Sequence, residues 1–369
     1  MANGEFRFSK FIFAYSVLIF AMLSTITAYL VFSNVKIKKT EGRFEDVVIE
    51  YLFQFYLTPI ITFPLHWVES AKMAEIFSKW YLFEDLYRKI IGNKILIRKK
   101  RKYTIVTIGL WLMSSGMMFA LYITLAEFEA LKVIPYCFFN VTIYIFGGFW
   151  CIYMDAIRCV ATQLEKDFRR SLRNIGPSYI PAELKILYMS LNELLQDFSS
   201  ALSYSLIFLF LFLFVTVILS IYGLVSQLSQ GITWKDVPHA VTAIMALAVL
   251  YISCEAAEKT TTSLKRNFQK PLLLLDTTWM RHETKKEITS FLRATLMNNS
   301  DVNISGFFTV NRGMFGALMS TMATYLIVLL QFQIILPEEM EEENIVNNST
   351  SYNDYLPTEV TDYGYTFNI

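Results

Sequence analysis

Seven runs of apolar residues divide this chain, and most are close to the roughly 20 residues that an α-helix needs to cross a bilayer. We predict membrane spans at residues 11–32, 48–68, 104–126, 133–157, 201–224, 237–254 and 307–336. Apolar residues make up 54% of the 369 positions, which exceeds the usual content of a soluble domain. Backbone polar groups in hydrocarbon must bond within their own segment, so the runs predict an all-α membrane protein.

The first two spans need separate arguments. The run at 11–32 is longer than the apolar region of a signal peptide and no small-residue cleavage site follows it, so we interpret it as a span. The run at 48–68 contains polar residues and prolines, namely Glu50, Gln54, Pro59, Pro64 and His66. Polar side chains within a span usually face protein or water, and we expect the same here.

The distribution of Lys and Arg predicts the orientation, because basic residues favour cytoplasmic loops. Segments 69–103, 158–200 and 255–306 are rich in Lys and Arg and fall on one side of the seven spans. The other side holds the short segments 127–132 and 225–236. This pattern predicts an intracellular N-terminus and an extracellular C-terminus.

The C-terminal tail favours the same orientation. It contains no Lys or Arg, and overlapping glycosylation sequons begin at Asn347 and Asn348. One segment disagrees, because 34–46 carries four basic residues on the predicted outside. Nearby acidic residues have little influence on the rule that places Lys and Arg in cytoplasmic loops, so they do not remove this conflict with the predicted orientation.

Enzyme chemistry has no support in the sequence. The four cysteines lie in or beside predicted spans without metal-ligand spacing, and small buried hydrophobes are the favoured interpretation. The three histidines lie in separate segments without a metalloprotease, hydrolase or phosphate-loop motif. We therefore predict no catalytic residue, metal, cofactor or nucleic-acid partner.

The long cytoplasmic segments show helical periodicity. Leu184, Leu187, Leu191 and Leu195 form a stripe that leads toward the fifth span. Residues 257–268 continue the sixth span, and 285–299 predict a separate amphipathic helix. We expect several membrane helices to extend below the bilayer and pack together there.

The last span carries a face of small and polar residues. At helical spacing this face contains Gly313, Ala317, Ser320, Thr324, Val328 and Gln331. Such a stripe suits either close helix packing or a water-filled pore. An amide in hydrocarbon needs partners, which water and neighbouring copies around an axis could supply to Gln331. Phe332 could then form an apolar constriction.

Three classes of membrane protein compete at this point. An oligomeric channel explains the polar stripe, the cytoplasmic helices and the extracellular C-terminus. A receptor that signals through G proteins explains seven spans but requires the opposite orientation. A transporter would more naturally show inverted repeats or helices broken by Gly or Pro. The channel is favoured.

The segment "TYLIVLLQF" at 324–332 resembles the TYhhhhhQF signature of the seventh span of insect gustatory receptors. The length, the spans and the basic cytoplasmic loops are similar to that family across nearly the whole chain. The resemblance implies a tastant-gated cation channel, a homotetramer or a heteromer with related receptors, in the plasma membrane of chemosensory neurons. It places Gln331 and Phe332 at the gate.

The resemblance also implies a division of labour along the chain. Residues 1–306 would form the first six spans, the tastant pocket and a cytoplasmic anchor, 307–336 the pore-lining helix and 337–369 an acidic extracellular tail. Leu326 replaces the acidic residue common in sweet-sensing receptors, which leaves fructose-type, bitter and carbon dioxide ligands open. From predicted depth in the outer halves of the spans, candidate ligand-binding residues are Tyr51, Gln54, Tyr122, Tyr136, Phe139, Asn140, Thr216 and Tyr222.

Overall fold

Helices dominate the computed structural model. It describes residues 9–37, 58–95, 101–124, 130–173, 179–227, 237–278, 280–298, 300–304 and 306–331. The chain divides into two compact units, Met1–Met322 and Ala323–Ile369. In the second unit, the described residues are all helical.

The described helices follow the predicted spans and extend beyond several of them. In chain order they are α1 (Lys10–Ile37), α2 (Thr58–Ile91), α3 (Arg101–Thr124), α4 (Ala130–Arg173), α5 (Tyr179–Ala201), α6 (Ser203–Gln227), α7 (Val237–Leu273), α8 (His282–Met297) and α9 (Arg312–Gln331). Among the residues that the structure describes, four helical segments could cross a membrane by length and composition: Thr142–Ser171, Ser203–Val225, Ala240–Leu273 and Arg312–Gln331. The first three belong to α4, α6 and α7, and the fourth is α9.

Helix α4 is the centre of the packing in the first unit. It contacts α3 on one side and α7 on another, and α7 in turn packs on α6. At Gly148, α4 and α3 approach so closely that an added Cβ would lie 2.8 Å from the Thr107 Cβ of α3. Small residues permit such approach between membrane helices, so Gly148 allows α3 to pack against α4.

The parts of the helices that follow the predicted spans form one bundle with an aromatic core. Phe168 of α4, Tyr188 of α5, Phe268 of α7 and Phe291 of α8 are all fully buried. The ring centroids of Tyr188 and Phe268 are 5.0 Å apart, and those of Phe168 and Phe291 are 5.3 Å apart. Burial raises the pKa of Tyr188, so its hydroxyl remains protonated. Hence the predicted packing of these helical extensions against one another is confirmed, and their cytoplasmic location stays a prediction.

The predicted leucine stripe is also confirmed. Leu184, Leu187, Leu191 and Leu195 of α5 are buried, and α5 contacts both α2 and α8. Residues 257–268 continue α7, and the separate amphipathic helix is α8. These segments are helices because each presents an apolar stripe to the same core.

Helix α2 differs from its predicted span. The prediction ended at residue 68, but the helix continues to Ile91. Met73, Ile76, Phe83 and Tyr87 recur at helical spacing and are buried, while the opposite side carries charged residues. The charges interrupt the apolar run in the sequence without interrupting the helix.

The last helix also begins later than predicted, at Arg312 instead of residue 307. The preceding residues form a hairpin in which β1 (Asn303–Ile304) pairs antiparallel with β2 (Phe308–Thr309). Gly306 has a φ of +80°, which favours glycine at this turn. The Asn311 side-chain oxygen accepts a 2.8 Å hydrogen bond from the Met314 amide and caps α9.

Candidate functional site

The N-terminal end of α9, from Arg312 to Phe315 and called its foot below, is held by the hairpin that precedes it. Val302, Ile304 and Val310 are buried, and the hairpin strand β1 contacts both α5 and α6. The Gln196 side-chain amide of α5 donates a 3.1 Å hydrogen bond to the Asp301 carbonyl. The beginning of α9 therefore has a fixed position against the bundle.

A charged pair joins the first residue of α9 to α7. The Arg312 guanidinium donates two hydrogen bonds to the Glu255 carboxylate, and the one from Nη2 measures 2.8 Å. Lys259, one turn along α7, lies 2.7 Å from the same carboxylate. One helical turn farther along α9, the rings of Phe315 and Tyr251 meet edge to face at 5.4 Å. These contacts hold the foot of α9 against α7.

Beyond its foot, α9 is largely uncovered by the described part of the chain. Of the 18 consecutive residues that make up its most apolar part, only 6% are buried. The predicted stripe is exposed throughout: Gly313, Ala317, Ser320, Thr324, Val328 and Gln331. Phe332 lies outside the described residues. An exposed stripe leaves this face available for water or for another subunit.

The structure places the predicted ligand-binding residues unevenly. Thr216 and Tyr222 are buried on α6, and the Thr216 hydroxyl donates a 2.8 Å bond to the Phe212 carbonyl of its own helix. Tyr51 and Gln54 lie outside the described residues, as do the sequons at Asn347 and Asn348. Four others lie on helices, but their side chains are not among those described: Tyr122, Tyr136, Phe139 and Asn140.

A cavity of about 840 Å³ lies elsewhere, between α1, α2 and α4. Aromatic and aliphatic side chains form most of its wall, including Phe13, Trp67, Phe146 and Phe149. Neither Thr216 nor Tyr222 lines it. The two predicted contacts whose side chains are described therefore lie away from this cavity.

A buried polar network borders this cavity. Glu69 of α2 is 2% exposed, and its carboxylate accepts hydrogen bonds from both the amide and the hydroxyl of Ser205 on α6. The Ser205 hydroxyl oxygen lies 3.1 Å from His66 Nδ1. On the α1 side, Trp67 Nε1 donates a 2.8 Å bond to Ser16 Oγ.

Sequence reasoning singled out His66 but missed its partners. A polar residue in the second apolar run indicated that this segment faces protein, and His66 does contact Ser205 and Glu69. Glu69 follows the predicted span by one residue, so its charge was read as part of a loop. The pairing of Glu255 with Arg312 had no sequence signal, because 57 residues separate them.

Cysteine and metal chemistry can be assessed for the described residues only. Cys151 and Cys254 are buried, and Cys159 is half-buried, which confirms the interpretation of these three as small packed side chains. Among the residues that the structure describes, no cluster of three or more His, Cys, Asp or Glu side chains could hold a metal ion. The described polar groups can exchange hydrogen bonds with a ligand.

Comparison with known proteins identifies relatives over nearly the whole chain. The family described as 7tm Chemosensory receptor matches residues 2–336. Gustatory and odorant receptor 24 of Anopheles gambiae is 39% identical over 337 residues, covering 91% of this chain and 74% of that receptor. Gustatory and odorant receptor 21a of Drosophila melanogaster is 25% identical, covering 87% of this chain and 72% of the relative.

Solved structures show the same fold. The insect olfactory receptor OR5 from Machilis hrabei aligns with a TM-score of 0.63 at 18% identity, covering 88% of this chain and 90% of that receptor. The structure of OR5 in complex with eugenol aligns with a TM-score of 0.59 at 17% identity, with the same coverage.

Proposed function

The chain belongs to the 7tm chemosensory receptor family, and on that premise we propose that it is a gustatory receptor that acts as a tastant-gated cation channel. The observation that carries the proposal is the exposed stripe of small and polar residues on α9. A helix as apolar as α9 is expected to bury polar groups such as Thr324 and Gln331 against protein or water when it lies in a membrane. Copies of α9 around a hydrated axis would provide both.

In this proposal, α9 is the seventh of seven membrane helices and lines the pore. Ser320, Thr324 and Val328 face the conduction path, and Gln331 with Phe332 forms the gate. Four subunits assemble as a homotetramer, or as a heteromer with related receptors, and the cytoplasmic bundle anchors them. The N-terminus is intracellular and the C-terminus is extracellular, in the plasma membrane of chemosensory neurons.

Tastant binding among the first six membrane helices, α1 to α4, α6 and α7, would open this gate. A ligand shifts a conformational equilibrium only through tighter binding to one state, so the open state must bind the tastant better. The contacts of Glu255 with Arg312 and of Tyr251 with Phe315 offer a route from α7 to α9. The outer-half residues chosen from the sequence, Tyr51, Gln54, Tyr122, Tyr136, Phe139, Asn140, Thr216 and Tyr222, remain the proposed contacts for the tastant.

Whole-cell recording tests the channel function. The chain is expressed alone and with a related receptor, and currents are recorded against sugars, bitter compounds and carbon dioxide with G-protein signalling blocked by a non-hydrolysable GDP analogue. We expect currents that survive the block and that Gln331→Ala alters, whereas Leu326→Ala on the opposite face leaves them unchanged. Currents abolished by the block would indicate a receptor without its own pore.

Glycosidase treatment tests the orientation. An extracellular tail carrying a glycan at Asn347 or Asn348 would shift in electrophoretic mobility after enzymatic deglycosylation. A double Asn347→Gln and Asn348→Gln variant should show no shift. Accessibility of a C-terminal tag only after permeabilising the cell would contradict the proposed orientation.

A further inference from the structure

We propose that the cavity between α1, α2 and α4 binds a neutral, elongated amphiphile with a single hydroxyl group, which enters from the lipid phase. Of the proposed tastant contacts, Thr216 and Tyr222 do not line this cavity, and its occupancy does not depend on channel function. The proposal rests on the shape of the cavity, its hydrogen-bonding groups and the exposure of one wall.

The dimensions of the cavity suit an elongated ligand. Its α4 wall extends from Phe138 to Phe149, and 11 residues of helical rise correspond to about 16 Å. The volume of about 840 Å³ lies within the range of small-molecule sites. Most of the side chains that line the cavity are apolar, so the hydrocarbon part of a ligand would be favoured along most of this length.

The polar network determines which hydrogen bonds the cavity offers. Ser205 donates both its amide and its hydroxyl hydrogen to Glu69, so the Ser205 oxygen can only accept from His66. With a neutral imidazole, the proton lies on Nδ1 and Nε2 is left as an acceptor. His66 lines the cavity, so Nε2 can accept a hydrogen bond from a ligand hydroxyl.

Ser16 provides the complementary donor. Its oxygen accepts the bond from Trp67, which leaves the Ser16 hydroxyl hydrogen to be donated. Both Ser16 and His66 line the cavity. One donor and one acceptor together match a hydroxyl group, which can accept from Ser16 and donate to His66.

The same network disfavours charged ligands. The Glu69 carboxylate is 2% exposed and already accepts two hydrogen bonds from Ser205, so a ligand cation could contact it only after local rearrangement. An anionic head group would meet the negative charge of Glu69 in an apolar setting, where repulsion is strong. The described lining contains no Lys or Arg that could compensate such a charge.

Exposed apolar side chains mark the side on which the cavity opens. Ile12 and Phe13 of α1 and Ile145 of α4 line it, and Ile145 is 54% exposed. Apolar side chains exposed on a membrane helix face lipid at low free-energy cost. An amphiphile in the bilayer can therefore reach the cavity without passing through water.

Photolabelling of the full chain in lipid nanodiscs tests this site. The probe is a dodecanol that carries a diazirine in its chain, and the matched probe is its methyl ether, which cannot donate a hydrogen bond. We expect the alcohol to label peptides containing Ser16, His66 or Ile145 about fivefold more than the ether does, as one hydrogen bond implies. Equal labelling by the two probes, or labelling spread evenly over exposed helix surfaces, would indicate surface lipid only.

Two sets of variants test the space of the cavity and its polar groups separately. Ile145→Trp should narrow the lipid-facing opening of the cavity and reduce labelling there, whereas Ile152→Trp, at a position on α4 that is 42% exposed and outside the lining, should not. Ser16→Ala and His66→Phe should keep labelling but lose the preference for the alcohol. Retained preference in both polar variants, with the wild-type elution profile in size-exclusion chromatography, would overturn the hydroxyl assignment.

Discussion

Arg312 at the start of α9 forms a two-bond ion pair with Glu255 of α7, and the Glu255 side chain is only 13% exposed. Within the proposed function, we expect Glu255→Gln to weaken the coupling of α7 to α9. The concentration of tastant for half-maximal current should rise by about fivefold, the lower end of typical coupling between sites, with single-channel conductance unchanged. Patch-clamp dose–response curves measure both quantities.

A double-mutant cycle provides the control for this pair. If Glu255 and Arg312 act through each other, Glu255→Gln combined with Arg312→Gln should be no worse than either single change. Additive shifts in the dose–response curve would show that the two residues act independently. Lys259→Gln tests whether the Lys259 ammonium, which also pairs with Glu255, contributes to the coupling of α7 to α9.

Gly148 should tolerate substitution poorly. A Cβ at this position would overlap Thr107 Oγ1 and lie 2.8 Å from Thr107 Cβ, so α3 and α4 would have to separate. We expect Gly148→Ala to lower the free energy of unfolding by about 1–3 kcal/mol. Thermal denaturation of the detergent-solubilised protein, followed by loss of the main size-exclusion peak, measures the effect.

Gly116 of α3 is the matched position, because a Cβ there meets nothing within 4 Å in the described structure. Gly116→Ala should leave the melting temperature unchanged or raise it slightly, since alanine has the higher helix propensity. If both substitutions lowered the melting temperature equally, the close approach of α3 and α4 at Gly148 would be refuted.

Phe291 should be essential to the aromatic core of the helix bundle. It is fully buried among Phe168, Tyr188 and Phe268, so Phe291→Ala should cost about 3–5 kcal/mol of stability. Leu296→Ala on the same helix is the control, because Leu296 is 59% exposed and its loss should change stability by about 0.5 kcal/mol or less. Comparable losses of the size-exclusion peak in both variants would contradict the proposed role of the aromatic core.

The sequence predicted those parts of the fold in which a single periodicity is clear. The leucines of α5 recur every three or four residues, and the structure buries all four. The continuation of α2 was missed because charges at Glu75, Lys79, Asp85 and Lys89 resemble a loop when only apolar runs are counted. In the helix, two of these charges pair with the other two at i, i+4 spacing, with Nζ to carboxylate distances of 3.4 and 2.7 Å.

The sites were less predictable than the helices. The stripe on α9 follows from spacing alone, since it lies within one helix. The cavity combines Ser16, His66 and Phe146 from three helices, and no local pattern brings these together. Likewise, the hairpin before α9 is only two residues long on each side, which is too short for an alternating pattern to be visible.

Cysteine accessibility along α9 tests the central claim that this helix lines a pore. Single cysteines at Ser320, Thr324, Val328 and Gln331 are compared with Leu326 on the opposite face, and a small cationic thiosulfonate reagent is applied while the tastant is present. Wild-type protein controls for its native cysteines, of which Cys151 and Cys254 are buried. We predict that modification reduces the current at the four stripe positions and spares Leu326. Faster modification at Leu326 than at the stripe, or no effect at any stripe position, would contradict a pore lined by α9.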